Sequence, residues 1–222
     1  QWARSEGCPW DIDTCDQAAA GGHLGVLQSA RENGCDWDSP TVCAEAAAGG
    51  HLEVLQWARA NGADWNPERM AEFAAICTFE VLQWTWAEGY PLTLCACEAA
   101  GRLGSLDILE WMMAHDCPWS TTVSGEAARH GQVHILESIG AHGYPLDDPV
   151  ICRRAAAGGH LAALQWARIN DCPWDVDACS EAAWNGHLEV LKWARSHGCP
   201  WNEDTCTCAA EVGCLDILQW SL

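Results

Sequence analysis

A leucine or a close substitute recurs every 27 or 28 residues along the chain, at Leu24, Leu52, Phe79, Leu106, Val133, Leu161, Leu188 and Leu215. Setting these eight positions in one column aligns the whole of the 222-residue sequence into units that start at Cys8, Cys35, Ala63, Tyr90, Cys117, Tyr144, Cys172 and Cys199. A fixed period of this length is the mark of a repeat array, in which each unit is one supersecondary element that cannot bury its apolar face alone. The reading is therefore a single array over 1–222. Residues 1–7 close a preceding repeat, because Gln1-Trp2-Ala3-Arg4 matches Gln56-Trp57-Ala58-Arg59, and the last repeat is truncated. On this reading the native array is expected to continue past both ends.

Each unit reads as two short helices. An N-cap former stands at the same place in all eight: Asp11, Asp38, Asn66, Thr93, Ser120, Asp147, Asp175 and Asn202. A side-chain oxygen there satisfies an orphan backbone donor and starts a helix. Alanine-rich turns follow, such as Ala18-Ala19-Ala20 and Ala46-Ala47-Ala48, which favour helix and let a neighbour come close. Gly-Gly-His or a variant breaks that helix, and a second begins at the leucine column, where Leu52, Val54, Leu55 and Ala58 have the spacing of a buried stripe. Arg31, Arg59, Arg168 and Arg195 suit the negative end of its dipole, and Gly34, Gly62, Gly89, Gly143 and Gly198 stop it.

The segment Gly49-Gly50-His51-Leu52-Glu53-Val54-Leu55-Gln56-Trp57, followed by Asn61-Gly62-Ala63-Asp64-Trp65-Asn66, resembles the second helix and exit of the ankyrin repeat. Ala182 to Val190 repeats the pattern most closely, and weaker versions cover the chain. Two features depart from that family. Its Thr-Pro-Leu-His entry is replaced by Trp-Asp-x-x-Thr-Cys, and the period is about six residues shorter than the usual 33. The resemblance implies an all-α solenoid of stacked helix-turn-helix repeats with β-hairpin fingers shortened or absent. It also implies a non-catalytic role in holding another protein, with partners usually bound on the concave side lined by first helices.

The chemistry-bearing residues fall into columns, and columns tolerate exchange. Cys8, Cys35, Cys117, Cys172 and Cys199 share theirs with Ala63, Tyr90 and Tyr144. Cys15, Cys43, Cys97, Cys152, Cys179 and Cys206 share theirs with Met70 and Ser124. Such exchange asks for volume, so packing is preferred to a disulfide or a metal site. Stacked helices lie roughly 10 Å apart, too far for disulfides within one column, and zinc hairpins of the Cys-x-x-Cys kind do not occur. His23, His51, His160 and His187 are read as caps of the second helix. Two tryptophan columns, one containing Trp10, Trp37, Trp174 and Trp201 and the other Trp57, Trp166, Trp193 and Trp220, are expected to fill the core between repeats. Emptying one, as in Trp57→Ala, would then cost about 3–5 kcal/mol.

A net charge of −20 repels phosphate backbones and anionic lipid, which argues against nucleic-acid and membrane-surface roles. No apolar run is long enough to insert in a membrane. Fifteen cysteines, an odd number, suit free thiols in a reducing compartment, so an intracellular and cytoplasmic setting is expected. No phosphate loop, nucleophile elbow or helical metal pair appears, so neither enzyme activity nor a cofactor is expected. Against this acidic background Arg69, Arg102, Arg129, Arg153 and Arg154 all sit on first helices of four consecutive repeats. With His130 and Trp184 beside them they form a candidate docking stripe for an acidic segment of another protein, since arginine pairs carboxylates bidentately. The alternatives are a structural subunit built permanently into a larger complex, and a thiol-based metal or redox protein.

Overall fold

The computed structural model describes residues 10–64 and 78–221, all of whose regular structure is helical. The second helices begin on the leucine column without exception: Leu24–Glu32, Leu52–Ala60, Phe79–Ala87, Leu106–Ala114, Val133–Ala141, Leu161–Ile169, Leu188–Ser196 and Leu215–Ser221. The first helices described are Ile12–Ala20, Ser39–Ala48, Leu94–Leu103, Thr121–Arg129, Val150–Ala157, Val176–Trp184 and Glu203–Glu211. Among the described residues no strand occurs.

The capping column works as backbone chemistry requires in some repeats and is displaced in others. Asp11 Oδ1 accepts the Thr14 N–H at 3.0 Å in a reciprocal box, and Asp175 and Ser120 each accept an N–H two residues on. Asp38 and Asn202 hold the N-cap position without a side-chain bond to a helix N–H; Asp38 accepts the Thr41 hydroxyl and Asn202 donates to the Asp204 carboxylate instead. Asp147 is not a cap. Its repeat reads Asp147-Asp148-Pro149, and the next residue Asp148 accepts the Val150 N–H at 2.9 Å, so the helix starts late. Asn66 lies outside the described residues.

Second helices end by one device. The N–H of the residue opening the next repeat bonds back five positions: Cys35 to the Ala30 carbonyl, Cys172 to Ala167 and Cys199 to Ala194, at 2.9–3.0 Å. That closure needs a left-handed residue just before it, which is why glycine recurs at 34, 62, 89, 143 and 198, with φ between 77° and 89°. Asp116 and Asp171 take the same conformation at φ 56° and 58°, at a conformational cost glycine would not bear.

The chain divides into two compact units, Gln1–Ala96 and Cys97–Leu222. In the second unit Thr121–Arg129 packs on Val150–Ala157, which packs on Val176–Trp184, which packs on Glu203–Glu211. In the first unit Ile12–Ala20 packs on Ser39–Ala48 in the same way. The close approach is allowed by small side chains, since Ala18, Ala19, Ala46, Ala47, Ala127, Ala128, Ala155, Ala156, Ala182 and Ala183 are all buried. Second helices add the larger core members, with Leu27, Leu55, Leu109, Leu136, Leu164 and Leu191 fully buried three residues into each helix.

No described tryptophan belongs to this core, which corrects the expectation that indoles fill it. Trp10, Trp37, Trp57, Trp166, Trp174, Trp193 and Trp201 are only half-buried, and Trp86, Trp184 and Trp220 are exposed. Short helices packed through alanine leave no cavity of indole size, so the rings lie along the edge of the core. The truncation Trp57→Ala therefore costs about 1–2 kcal/mol, below the range for emptying a buried aromatic site. Leu164→Ala, which opens a void among residues with no exposed surface, costs about 3 kcal/mol. Chemical denaturation of the two variants checks the order, and a larger loss for the tryptophan would show the core to be aromatic.

Candidate functional site

Three sets of side chains recur at the junctions between repeats. The first is an arginine clamp. Arg31, Arg59 and Arg195 each donate from Nη1 to the backbone carbonyl of the residue four positions on, Cys35, Ala63 and Cys199, at 2.8–2.9 Å, and Arg168 does the same to Cys172. The guanidinium then lies over the next indole, 4.4 Å from the centroid of Trp37 for Arg31 and 4.3 Å for both Arg168 over Trp174 and Arg195 over Trp201. Each of those indoles meets a second-helix tryptophan edge-on, as Trp37–Trp57, Trp174–Trp193 and Trp201–Trp220, with centroids 5.8–6.1 Å apart. The arginines thus do more than complement a helix dipole, since they hold the corner that leads into the next repeat. Where arginine is missing the corner is rebuilt: Gly140 faces Leu146, and Tyr144 stacks on Trp119 at 4.0 Å.

The second set is the histidine column, and here the expected role is corrected. His23, His51, His160 and His187 occupy N-cap positions, but none makes a side-chain bond to its own helix. Instead Nε2 of His51 bonds the Ala20 carbonyl at 2.9 Å, and Nε2 of His187 bonds the Ala157 carbonyl at 3.2 Å, each joining the end of the preceding first helix. The imidazole reaches there across a glycine: a Cβ on Gly22 or Gly159 would lie within 2.7 Å of the ring of His51 or His187. Gln132 substitutes by donating to the Arg102 carbonyl. The Gly-Gly-His motif is therefore an inter-repeat fastener, with the glycine of one repeat making room for the histidine of the next.

The third set is cysteine, buried as the packing reading requires at Cys15, Cys35, Cys43, Cys152, Cys172, Cys179 and Cys199. The two columns meet each other, however, and not themselves. A disulfide joins Cys97 of one first helix to Cys117 at the following corner. Cys15 and Cys35 have their sulfurs 3.5 Å apart, the Cys199 thiol donates at 3.5 Å to the Asp175 carbonyl that opens the helix of Cys179, and the Cys152 thiol reaches the Cys172 carbonyl at 3.7 Å. A rule against disulfides within a column is silent about a pairing between columns, and the sequence signal missed was the constant offset of 20 residues. Burial pushes the thiols of Cys15 and Cys152 up to about 12 and that of Cys172 up to about 11. At neutral pH they stay protonated. Among the described residues no three His, Cys, Asp or Glu side chains form a metal-binding group.

The basic stripe separates into engaged and open members. Arg153 pairs with Asp177 of the next repeat at 3.2 Å, and His130 is held by the Glu126 carbonyl at 3.0 Å. Arg154 is half-buried, with its stem against Gly125. Arg102 is exposed and Arg129 half-exposed, and neither they nor Arg154 take a carboxylate partner among the described residues. Trp184 is 47% exposed. Arg69 lies outside the described residues. Concavities also occur on the second-helix side: one of about 760 Å³ is lined by Glu189, Lys192, Trp193, Arg195, Trp201 and Trp220, and a neighbour of about 500 Å³ by Gln165, Arg168, Ile169, Trp193 and His197. No helix of the described residues is long and apolar enough to cross a membrane.

The clamp and the histidine fastener each have a measurable consequence. Arg195→Ala removes a charge-assisted hydrogen bond and a cation–π contact together, costing about 1–2 kcal/mol in denaturant unfolding. Arg195→Lys recovers only part, because an ammonium lacks the planar fork that serves carbonyl and indole at once. Burial, then the neighbouring His130 and His187, holds the proton affinity of His160 below the ordinary histidine value. The unfolded chain therefore takes up that proton first as the pH falls below about 6.5, and this contribution to stability is lost on acidification. The melting temperature should drop between pH 7.5 and 5.5, with a smaller drop in His160→Gln. An equal drop in both proteins would remove His160 from the account. The sequence matches no protein-family model and no curated protein.

Proposed function

We propose that the chain is a non-catalytic protein-interaction module, an ankyrin-like α-solenoid that holds an acidic segment of another protein on its first-helix face. The observation that carries this reading is the set of arginines, Arg102, Arg129 and Arg154, borne on first helices and without carboxylate partners among the described residues, in a chain of net charge −20. In such a chain a basic side chain is readily neutralised by its surroundings, as Arg153 is by Asp177. Arginines that stay open can take a partner's carboxylates in bidentate pairs. The long-range field opposes an acidic ligand, but it is screened over about 8 Å at physiological ionic strength, so contact pairing decides the outcome. Trp184 supplies an exposed aromatic anchor next to the charged stretch, the kind of residue that dominates interface energetics.

A structural subunit of a larger intracellular complex is the second reading, favoured by exposed apolar side chains at Ile169, Leu215 and Leu103 (81%, 60% and 55% exposed). Solution behaviour separates the two. A soluble monomer that binds its partner reversibly supports the module, and a chain that stays insoluble without neighbours supports the subunit.

Affinity capture from cell extract with wild type and with Arg102→Glu plus Arg129→Glu tests the face directly. The double reversal should reduce the recovered partner at least tenfold, a loss of about 1.4 kcal/mol or more. Arg153→Glu should have a smaller effect, because that charge is already engaged. Ala162→Glu on a second helix should have none. Unchanged capture by the double variant would reject the first-helix face as the docking surface.

A further inference from the structure

The disulfide between Cys97 and Cys117 occupies a position that recurs throughout the array. Its first member stands in the middle of a first helix, and its second is the residue that opens the next repeat, 20 residues later. Seven junctions within the sequence offer both positions. Four bring cysteine to cysteine: Cys15–Cys35, Cys97–Cys117, Cys152–Cys172 and Cys179–Cys199. At both tyrosine positions, Tyr90 and Tyr144, the residue 20 places earlier in the sequence is not cysteine but Met70 and Ser124. Cys43 opposite Ala63 is the single mixed junction. Interchangeable filler would not need the two thiols to arrive together so often.

The geometry agrees at each junction. The sulfurs of Cys15 and Cys35 are 3.5 Å apart, the Cys199 thiol donates at 3.5 Å to the Asp175 carbonyl at the start of the helix that carries Cys179, and Cys152 reaches across to the backbone of Cys172. Every one of these six cysteines is buried, with Cys35 at 4% the most exposed. Cys95, by contrast, is exposed, and Cys206, Cys208 and Cys214 are half-exposed. The buried thiols are therefore presented to one another and hidden from other chains.

We propose that these four pairs are a redox modification site, each closing to a disulfide that ties a first helix to the corner of the repeat stacked on it. The oxidant is a low-molecular-weight disulfide of the glutathione class. One cysteine thiolate attacks that disulfide, giving a mixed disulfide and releasing one small thiolate. The second cysteine thiolate attacks the protein sulfur of the mixed disulfide, forming the Cys–Cys bond and releasing the other small thiolate. Two electrons pass from the cysteine pair to the oxidant, and the two thiol protons end on the two released thiols. Since burial raises the thiols of Cys15, Cys152 and Cys172 well above neutral pH and shields each pair from solvent, the reaction proceeds when a junction opens or while the chain folds. Each link closes a loop of about 20 residues and restricts the unfolded chain, so the oxidised protein is the more stable form.

The test is linkage mapping. The reduced, unfolded full-length chain is refolded in oxidised and reduced glutathione, its free thiols are blocked with N-ethylmaleimide in denaturant, and peptides are mapped without reduction. The expected result is four links at the named pairs, with the other seven cysteines, Cys8, Cys43, Cys77, Cys95, Cys206, Cys208 and Cys214, alkylated, and a melting temperature roughly 5–10 °C above that of the reduced protein. Cys179→Ala should leave Cys199 alkylated and the other three links in place. Ala63→Cys should add a fifth link, to Cys43, because it completes the mixed junction. Full alkylation of the wild type, a link at Cys97–Cys117 alone, links through Cys95 or Cys206, or transfer of Cys199 to another thiol in Cys179→Ala would each overturn the assignment.

Discussion

Neither helix of a 27-residue unit can bury its apolar face by itself, and everything else in this structure follows from how the neighbouring unit covers it. The solution is packing through alanine. Paired residues such as Ala127 and Ala128, Ala155 and Ala156, and Ala182 and Ala183 are buried between successive first helices, where larger side chains would hold the backbones apart. A contact made of small groups is close but carries little area per residue. It therefore needs its register fixed by something more directional than hydrophobic burial.

The fasteners at the junctions supply that direction. A histidine donates to the last carbonyl of the preceding first helix, an arginine holds the carbonyl that opens the next repeat, and sulfurs such as those of Cys15 and Cys35 meet behind the corner. The histidine acts on a carbonyl that a helix terminus leaves without an intrahelical partner, and the arginine on a carbonyl of the loop between helices. The same devices leave the outer sides of the helices free to vary. On the first-helix side that variation produces open arginines in an acidic protein, and on the second-helix side it produces shallow grooves between tryptophans.

Much of this was legible in the sequence because it depends on local chemistry. The leucine column located the first residue of every second helix, and the glycines at 34, 62, 89, 143 and 198 marked backbone that only a left-handed residue can close. What escaped depends on partners one repeat away. The imidazole of His51 has the same spacing whether it caps its own helix or crosses Gly22 to the Ala20 carbonyl, and only the fold decides between them. The hydrophobicity of tryptophan points to the core, but the distance between alanine-packed helices is set by the smallest members and excludes a ring of that size. Asp147 lost its capping role to Asp148 because the proline after them delays the helix. Among the candidate site residues, Arg102, Arg129, Arg153 and Arg154 fall on first helices as their repeat positions imply, whereas the engagement of Arg153 by Asp177 has no signal in the sequence.

The account rests on the first helices being the face that meets another protein. Hydrogen–deuterium exchange of the chain, alone and with its captured partner, measures this most directly. The account predicts added protection concentrated in Leu94–Leu103, Thr121–Arg129 and Val150–Ala157, and unchanged exchange in Leu161–Ile169 and Leu188–Ser196. Protection confined to those two second helices, around the grooves beside Trp193, would contradict it.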